Sequence, residues 1–442
     1  ITGVHAQPED CLQELTDVQR FTLQSMGEER LWVSSMPCCL PDDDAIPLGQ
    51  YGSSNVGRSK TVYRMGLGNR YGRRMQTISG IHYNWSMPDV SSEAYFGLIR
   101  NFRRHAFLLL YLFGASPAEC STFVAGRQHQ LQPLSEGTMY LPYATSLRMG
   151  RLGYQSDAQS SLAVSYNSLE GYGHSLQGAL TQAYPAYEAI GVQGPDGAYR
   201  QLATSLLQIE NEFYSSIRPK RTTGRGETAL QALRLRGVEY VEVRCVDLNP
   251  YEPLGITKTQ MQVMDAFLLY CLLSDSPQTD EREFYQGQEN QKRIVNSGRD
   301  PALCLQRGDQ EVSMREWAAE ILQGSMAAAD LLDQAKGGSA HQQALSLQQA
   351  KLADPELTPS ARVLRDMTAA GQSFYAHTLA LAEQQRAYFA DRPLAADQQA
   401  VFAQMSASSL QAQALLEADQ QLSFDQYLEN YYAQYRGCGC ST

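Results

Sequence analysis

The stretch ISGIHYNWSMP, residues 78–88, decides how this chain folds, because its apolar and polar side chains alternate. Successive side chains of a β-strand point to opposite faces of the sheet. One face therefore carries the apolar and aromatic side chains at positions 81, 83, 85 and 87, and it suits a hydrophobic core. The other face carries His82 and Asn84 and offers partners for a metal ion or a phosphate. A histidine that is only hydrogen-bonded on a half-buried strand is the alternative reading of His82.

Two segments further along the chain show the same alternation. LLQIENEFY, residues 206–214, and VEYVEVRCVDL, residues 238–248, predict strands. In the first segment, Glu210, Glu212 and Tyr214 share a face. In the second, Glu242 and Arg244 share a face and alternate with valines. Three strands with one polar face each are therefore expected.

Helical periodicity surrounds these strands. Helices are predicted from Pro8 to Met26, over residues 89–113 and over residues 160–190. From Thr257 onward the pattern changes to long helices, such as TKTQMQVMDAFLLYCLL, whose apolar stripe is typical of a core helix. We therefore expect a core in residues 1–255 and a helical C-terminal region in residues 256–442 that packs on it.

Composition narrows the class of protein. The 442 residues carry 36 basic and 47 acidic side chains and a formal net charge of -11, which argues against a general nucleic-acid binder. The nine cysteines are scattered and form no pair of CxxC motifs, so a zinc site is not expected. We expect them to be reduced thiols of a cytosolic protein. The longest apolar run, residues 106–113, is too short to span a bilayer, and no signal peptide is visible. These features predict a cytoplasmic protein without a membrane partner.

Two short glycine-containing segments resemble nucleotide-binding motifs but do not match them fully. GSSNVGRS, residues 52–59, resembles a phosphate-binding P-loop, but arginine replaces the lysine and no apolar strand precedes it. GLGNRYG, residues 66–72, spaces its glycines wrongly for a dinucleotide site, so a nicotinamide cofactor has no support. The basic segment IRPKR, residues 217–221, predicts a local anion pocket or a solvated loop rather than a nucleic-acid patch.

The pairing of Glu242 with Arg244 on one strand face suggests chemistry on phosphates. Magnesium prefers carboxylate oxygens and bridges phosphate oxygens. An arginine beside it neutralises the charge on a phosphoryl group during transfer. A cross-strand ion pair without chemistry would give the same spacing.

Eight blocks of sequence resemble the proteobacterial type of glutamate–cysteine ligase, and they occur in the order of that family between residues 26 and 250. Weaker similarity continues through the C-terminal helices. The blocks are MGEERLWVSSMPC, QYGSSNVGRSKTVYRMGLGNRYG, MQTISGIHYNWSMP, LIRNF, YLFGASPAECSTF, LPYATSLRMGRLGY, LLQIENEFYSSIRPKR and GVEYVEVRCVDLNP.

The resemblance implies a fold and a reaction. The family looks like the glutamine-synthetase class, an α+β fold in which an antiparallel sheet curls into a funnel with helices outside. Its members join the γ-carboxylate of glutamate to the amine of cysteine through γ-glutamyl phosphate, the first step of glutathione biosynthesis. The implied co-substrate is ATP, the implied cofactor is Mg²⁺, and the implied partners are these small molecules alone. A monomer is expected.

Positions within the matching blocks imply roles at the metal and phosphate centre. His82 and Glu242 look like metal ligands, and Arg244 looks like the catalytic arginine for the phosphate. Because a histidine is an unusual ligand for Mg²⁺, a site that also accepts Mn²⁺ is expected.

Other matching positions imply roles in substrate binding. Tyr63, Arg148, Tyr154 and Tyr214 look like the cysteine pocket, with the arginine on the α-carboxylate. Asn84 faces the same way as His82 and is expected to orient neighbouring groups. For each tyrosine, a ring packed for its amphipathic surface is the alternative.

The chain departs from the family in two places. The family has an earlier glutamate-rich strand and a further acidic segment upstream of position 1, and the loop between Pro88 and Ala94 is shorter here. We therefore expect the 442-residue piece to be N-terminally truncated, to bind metal weakly and to be inactive by itself. Two other functions stay open on the sequence: a ligase of the same fold that uses a different amine, and a non-catalytic homologue.

Overall fold

A three-stranded antiparallel sheet forms the centre of the computed structural model, which describes residues 1–153, 157–159 and 162–436. Within these residues there are eight strands: β1 (Ile81–Trp85), β2 (Ala118–Cys120), β3 (Gln132–Ser135), β4 (Thr138–Tyr140), β5 (Ile217–Lys220), β6 (Tyr240–Val246), β7 (Cys304–Arg307) and β8 (Gln310–Ser313). The central sheet has the order β1-β6-β5, a second sheet has the order β2-β4-β3, and β7 pairs with β8. All of these pairs are antiparallel.

Helices surround the sheets and make up most of the second half. The described α-helices are α1 (Pro8–Ser25), α2 (Asn55–Tyr71), α3 (Ser92–His105), α4 (Phe107–Phe113), α5 (Ser121–Val124), α6 (Leu169–Thr181), α7 (Pro185–Glu188), α8 (Ala229–Arg236), α9 (Lys258–Leu273), α10 (Glu281–Ser297), α11 (Met314–Lys336), α12 (Ala340–Ala353), α13 (Pro359–Ala370), α14 (Phe374–Ala390), α15 (Ala396–Ala418) and α16 (Phe424–Arg436). The predicted first helix and the helical C-terminal region are present. None of the described helices is long and apolar enough to cross a membrane.

The register of the central sheet determines which side chains meet. Asn84 of β1 lies opposite Glu242 of β6, and Arg218 of β5 lies opposite the same glutamate on the other side. Directly opposite residues of an antiparallel pair project to the same face. Between the pairs Ile81–Val246 and Tyr83–Val243 the register shifts, so β6 has one residue more than β1 opposite His82. Such β-bulges bend a strand and re-aim side chains next to sites of function.

The apolar face of this sheet packs on helices from both halves of the chain. Val241 and Val243 are fully buried in one core cluster together with Phe102 of α3 and Phe267 of α9. The apolar and aromatic side chains of β1 lie on this side, as the alternation predicts, while His82 and Asn84 are exposed. Burial of the first set leaves the opposite face of the sheet for polar groups.

Serine and threonine side chains start several of these helices. Ser91 accepts a hydrogen bond from the backbone of Ala94 at α3, and Thr257 accepts one from Gln260 at α9. Each cap satisfies an amide that the helix itself cannot pair. The caps fix where both helices begin beneath the sheet.

Two predicted elements differ from the structure. Residues 206–214 are not a strand: they form a loop with a 3-10 turn at Glu210–Glu212, because the glutamate side chains turn inward. Glu212 accepts from the backbone of Gln208, and Glu210 accepts from the backbone of Leu230. The predicted helix over residues 89–113 is two helices, α3 and α4, and Arg100 of α3 is buried against backbone carbonyls.

Candidate active site

Four polar side chains converge on the open face of the central sheet. A carboxylate oxygen of Glu242 lies 3.6 Å from Nδ1 of His82 and 3.4 Å from Nζ of Lys220. The other oxygen lies 3.7 Å from Nε of Arg244. Residues of three strands therefore meet around one carboxylate, and the bulge of β6 opposite His82 lies at this point.

The cations around Glu242 determine its charge. Burial raises the pKa of this carboxyl, but His82, Lys220 and Arg244 together outweigh burial and lower the pKa to about 2. For Lys220, burial is also the largest effect, and it lowers the pKa with help from Arg218 and Arg244. Glu242 is thus ionised at neutral pH and carries a negative charge among several positive ones. Such a face can hold a metal ion beside an anionic group.

The neighbouring strands complete this face. Asn84 of β1 is exposed and lies directly opposite Glu242. Arg218 is buried on the other side, and its guanidinium donates to the backbone carbonyls of Asn211 and Phe213. The segment IRPKR, for which the sequence predicts an anion pocket or a solvated loop, contains β5, and Lys220 at the end of this strand contacts Glu242.

Arg148 lies beneath the cluster rather than on its open side. Its Nε donates to Asp247 across 2.7 Å, its Nη2 donates to the backbone carbonyl of Arg244 across 3.2 Å, and both charged side chains are buried. A Cβ at Gly80, just before β1, would lie 2.6 Å from the guanidinium carbon, so a larger residue there would displace this arginine from its present position. Asp247 also accepts from Ser116 and therefore anchors the end of β6.

A large cavity lies to one side of the sheet face. Its volume is about 1250 Å³, and its lining includes Arg103, Arg104, Tyr214 and Ser216. His82, Glu242 and Arg244 are not part of the lining. The two regions meet at Ser216, whose backbone carbonyl accepts from the amide of Arg244 across 2.8 Å. The cavity is large enough for a small organic molecule.

The predicted tyrosines lie in different places. Tyr214 lines the cavity, and its ring lies 6.4 Å from that of Tyr71. Tyr63 packs instead on a cluster that contains Phe424 and Leu428 of α16. Tyr154 lies outside the described residues. The structure thus brings together His82, Asn84, Glu242 and Arg244, and it does not place Tyr63 among them.

Possible metal ligands are few among the described residues. Within residues 1–153, 157–159 and 162–436, only Cys38, Cys39 and Cys120 form a group of three or more histidine, cysteine or acidic side chains close enough to share an ion. His82 and Glu242 supply two ligand atoms, and the described part of the chain brings no third side chain of this kind into range. This suits a cation that completes its coordination with phosphate oxygens and water, as Mg²⁺ does in many nucleotide sites.

Sequence reasoning missed two contributors. Lys220 could have been found, because Arg218 and Lys220 alternate with Ile217 and Pro219 in the period of a strand. Asp247 could not have been found, since nothing in its local sequence indicates that it anchors Arg148.

Comparison with known proteins gives this arrangement its context. The sequence model of the family described as glutamate-cysteine ligase matches residues 1–294. A glutamate–cysteine ligase of Pseudomonas paraeruginosa is 49% identical over 455 residues, which cover 99% of this chain and 86% of the relative. The chain belongs to the glutamate–cysteine ligase family. A relative with the same name from Saccharophagus degradans is 47% identical over 458 residues, with 99% of this chain and 86% of the relative covered.

Solved structures agree with this membership. The 2.0 Å crystal structure of a glutamate–cysteine ligase from Francisella tularensis, in complex with AMP, superposes with a TM-score of 0.93 at 35% identity and covers 99% of this chain and 89% of its own. A bifunctional glutathione synthetase from Pasteurella multocida matches with a TM-score of 0.65 at 23% identity, which shows a shared fold. The predicted α+β class, with antiparallel strands, outer helices and a helical C-terminal region, is confirmed.

Proposed function

We propose that this glutamate–cysteine ligase family member joins the γ-carboxylate of L-glutamate to the amine of L-cysteine with ATP as co-substrate, the first step of glutathione biosynthesis. The observation that carries the proposal is the convergence of His82, Glu242 and Arg244 on one sheet face. It occurs in a chain that is 49% identical to a named glutamate–cysteine ligase.

The chemistry requires activation of a poor acyl donor. An oxygen of the glutamate γ-carboxylate attacks the γ-phosphorus of ATP and forms a new P–O bond. The bond between the γ-phosphorus and the β,γ-bridging oxygen breaks, and ADP leaves. The cysteine amine then attacks the acyl carbon of γ-glutamyl phosphate, phosphate leaves with the bonding pair, and the amine gives up a proton. Both steps concentrate negative charge, so preorganised cations supply much of the stabilisation.

The residues of the sheet face fit this requirement. Arg244 and Lys220 hold positive charge on either side of Glu242 and would contact phosphate oxygens. His82 and Glu242 would hold Mg²⁺, or Mn²⁺ in its place, because Glu242 is ionised and both side chains point to one spot. When bound, such a cation neutralises charge on the nucleotide phosphates. Asn84, beside Glu242, would orient groups at the same place.

The cavity beside this face is the proposed amino-acid pocket. Tyr214 lines it, and arginines on its wall would attract carboxylates. Arg148, Tyr63 and Tyr154 stay as proposed members of the cysteine pocket. Of these, Arg148 is the one that the structure ties directly to Arg244, through the backbone carbonyl.

Several finer expectations accompany the proposal. We propose a cytoplasmic monomer whose partners are glutamate, cysteine and ATP, with no nucleic acid and no membrane. The seven described cysteines are free thiols, which supports a reducing compartment. The net charge of -11 supports the absence of nucleic acid. We also propose that residues 1–255 form the catalytic core.

A substrate panel tests the function. ADP release is measured with glutamate, ATP and Mg²⁺ in the presence of cysteine, 2-aminobutyrate or ammonia, and the product is identified by its mass. We expect cysteine to give the highest kcat/KM and the product to be γ-glutamylcysteine. Equal or better turnover with ammonia would instead support a ligase with a different amine. Nucleotide binding without turnover for any amine would support a non-catalytic homologue.

A further inference from the structure

Three thiols that have no role in the proposed reaction, those of Cys38, Cys39 and Cys120, lie close together. The sulfur atoms of Cys38, Cys39 and Cys120 all lie within 4.8 Å of one another, and those of Cys38 and Cys39 lie 3.8 Å apart. Cys38 and Cys39 follow a buried turn at Met36, and Cys120 ends β2. The cluster therefore joins a loop to the second sheet.

The spacing of the sulfurs suits a shared metal ion. A zinc–sulfur bond is about 2.3 Å long, so two thiolates on one tetrahedral ion lie about 3.8 Å apart. The observed separation of Cys38 and Cys39 has this value. A disulfide would instead need sulfurs about 2.05 Å apart. In the structure all three thiols are free.

Hydrogen bonds already support the innermost sulfur. The backbone amide of Cys39 donates to Sγ of Cys120 across 3.4 Å, and the hydroxyl of Thr122 donates to the same sulfur across 3.3 Å. The amide of Leu40 donates in turn to the Thr122 hydroxyl across 3.1 Å. Donors of this kind favour the thiolate form and orient metal-ligating sulfurs.

The backbone at Cys39 takes an unusual conformation to make these contacts. Its φ is +53°, in the left-handed region that residues with a side chain rarely adopt. Such a conformation is unfavourable for a residue with a side chain and is found where the surroundings or the function require it. Here it directs the amide of Cys39 to the sulfur of Cys120.

We propose that Cys38, Cys39 and Cys120 bind one soft d¹⁰ metal ion, Zn²⁺ or Cu⁺, through three thiolates and an open fourth position. Thiolate ligands select these ions over Mg²⁺, which takes oxygen ligands. The exposure of the three side chains sets the direction of entry, because Cys120 is buried, Cys38 is half-buried and Cys39 is exposed to solvent. Binding exchanges the three thiol protons for the ion and releases them to water.

A bound metal ion would fix residues 35–39, a segment that contacts the ends of β1 and β6 through Ser35. The carbonyl of Ser35 accepts from the amide of Ser79, which precedes β1, and its hydroxyl accepts from the amide of Leu248, which follows β6. An ion on Cys38, Cys39 and Cys120 would tie this segment to β2. An ion that binds only the folded chain raises its apparent stability.

The test is a metal titration of the full chain in a thiol-free reductant. Co²⁺ serves as the spectroscopic probe, and Zn²⁺ and Cu⁺ are titrated separately against chromophoric chelators. Cysteine is left out, because it binds these ions itself. We expect one equivalent of Co²⁺ to give a thiolate-to-metal charge-transfer band, Zn²⁺ or Cu⁺ to abolish it, and the melting temperature to rise with the bound ion.

Variants locate the site. Cys39→Ser removes an exposed sulfur with little effect on packing, and we expect it to weaken binding by at least about tenfold. Cys304→Ser is the matched control, since Cys304 is a partly exposed free thiol in β7 outside the cluster. It should bind as the unchanged chain does. The relative affinities of Zn²⁺ and Cu⁺ identify the ion.

Three results would overturn the proposal. The first is the absence of a charge-transfer band at any ratio of Co²⁺ to protein. The second is equal affinity in Cys39→Ser and Cys304→Ser. The third is a disulfide between any two of Cys38, Cys39 and Cys120 that persists in the reductant, because the ion would then have too few thiolates.

Discussion

At the scale of single residues, Glu242 has an environment unlike that of an ordinary surface ion pair. It is mostly buried, and His82, Lys220 and Arg244 approach it from three strands. Exposed pairs contribute little to stability because water and salt screen them. A carboxylate kept ionised among several cations on a half-open face is more typical of a site that takes another charged group.

The variant Glu242→Gln tests this role. It keeps the shape of the side chain and removes its charge, so we expect the affinity for the Mn²⁺–ATP complex and the turnover number each to fall by about 100-fold or more. Calorimetric binding and steady-state kinetics measure the two effects. Glu239→Gln, at an exposed position just before β6, is the control and should behave as the unchanged protein. Normal binding and turnover in Glu242→Gln would contradict the metal assignment.

Glu119 is the opposite case, a buried carboxyl that forms no ion pair among the described residues. It is fully buried on β2, and neither of its oxygens has a hydrogen-bond partner within the described chain. Burial, the largest effect, raises its pKa from 4.5 to about 8. The folded state therefore holds this proton more tightly than the unfolded state does, so its contribution to the free energy of unfolding decreases as pH rises from 4.5 through 8.

We expect Glu119→Gln to remove that decrease. Since one pKa unit corresponds to about 1.4 kcal/mol, the variant should gain up to roughly 4 kcal/mol relative to the unchanged protein between pH 5 and pH 9. Urea unfolding at a series of pH values measures the difference. Glu136→Gln, at an exposed turn between β3 and β4, should leave the pH dependence as it is. A Glu119→Gln profile parallel to the unchanged one would refute the raised pKa.

At the scale of elements, a buried ion pair joins α2 to the turn at Glu210–Glu212. Nη1 of Arg70 lies 2.9 Å from Oε1 of Glu212, and both side chains are inaccessible to solvent. The same carboxylate oxygen accepts from the hydroxyl of Tyr71 across 2.8 Å. These contacts explain why this segment is a turn directed into the protein instead of a strand that displays its glutamates.

Breaking the pair should be costly. Arg70→Ala leaves a buried carboxylate without its cation, and we expect a loss of about 3–5 kcal/mol in the free energy of unfolding. Asp309→Asn removes the exposed pair with Arg282 and should cost less than about 1 kcal/mol. Chemical denaturation compares the two variants. A loss in Arg70→Ala no larger than that in Asp309→Asn would show that the buried pair does not hold the turn.

At the scale of the whole molecule, helix α16 near the end of the chain packs against the first half of the chain and closes the structure there. The hydroxyl of Tyr435 donates to Oε2 of Glu210 across 2.6 Å, and the hydroxyl of Tyr432 donates to the backbone carbonyl of Gln208 across 2.9 Å. The turn at Glu210–Glu212 is thus held from α2 on one side and from α16 on the other. The helical region and the sheet region share this contact as well as the main core.

The variant Tyr435→Phe removes one hydroxyl from this closure. A hydrogen bond to a charged group contributes about 1.5–3 kcal/mol, so we expect a loss of this size together with faster proteolysis near the C-terminus. Tyr388→Phe, at an exposed position of α14, is the control and should lie within about 0.5 kcal/mol of the unchanged protein. Equal stability of the two variants would show that the Tyr435 hydroxyl does not stabilise the closure.

The sequence by itself determined the central strands and the polarity of their faces. Residues 78–88 and 238–248 alternate with a period of two, and β1 and β6 lie within them with His82 and Glu242 on the polar side. The helical second half was equally predictable, because its apolar periodicity is long and continuous. Local patterns suffice where burial acts on one face of a regular element.

Only the tertiary structure decided how these faces combine. The register that sets Glu242 opposite Asn84, and the bulge opposite His82, arise from pairing between β1 and β6, which lie more than a hundred residues apart in the sequence. The failed strand at residues 206–214 has the same cause, because its glutamates take partners from α2 and α16 that local periodicity does not reveal. A buried carboxylate lies where its ion-pair or hydrogen-bond partners lie, and their position is a property of the folded chain.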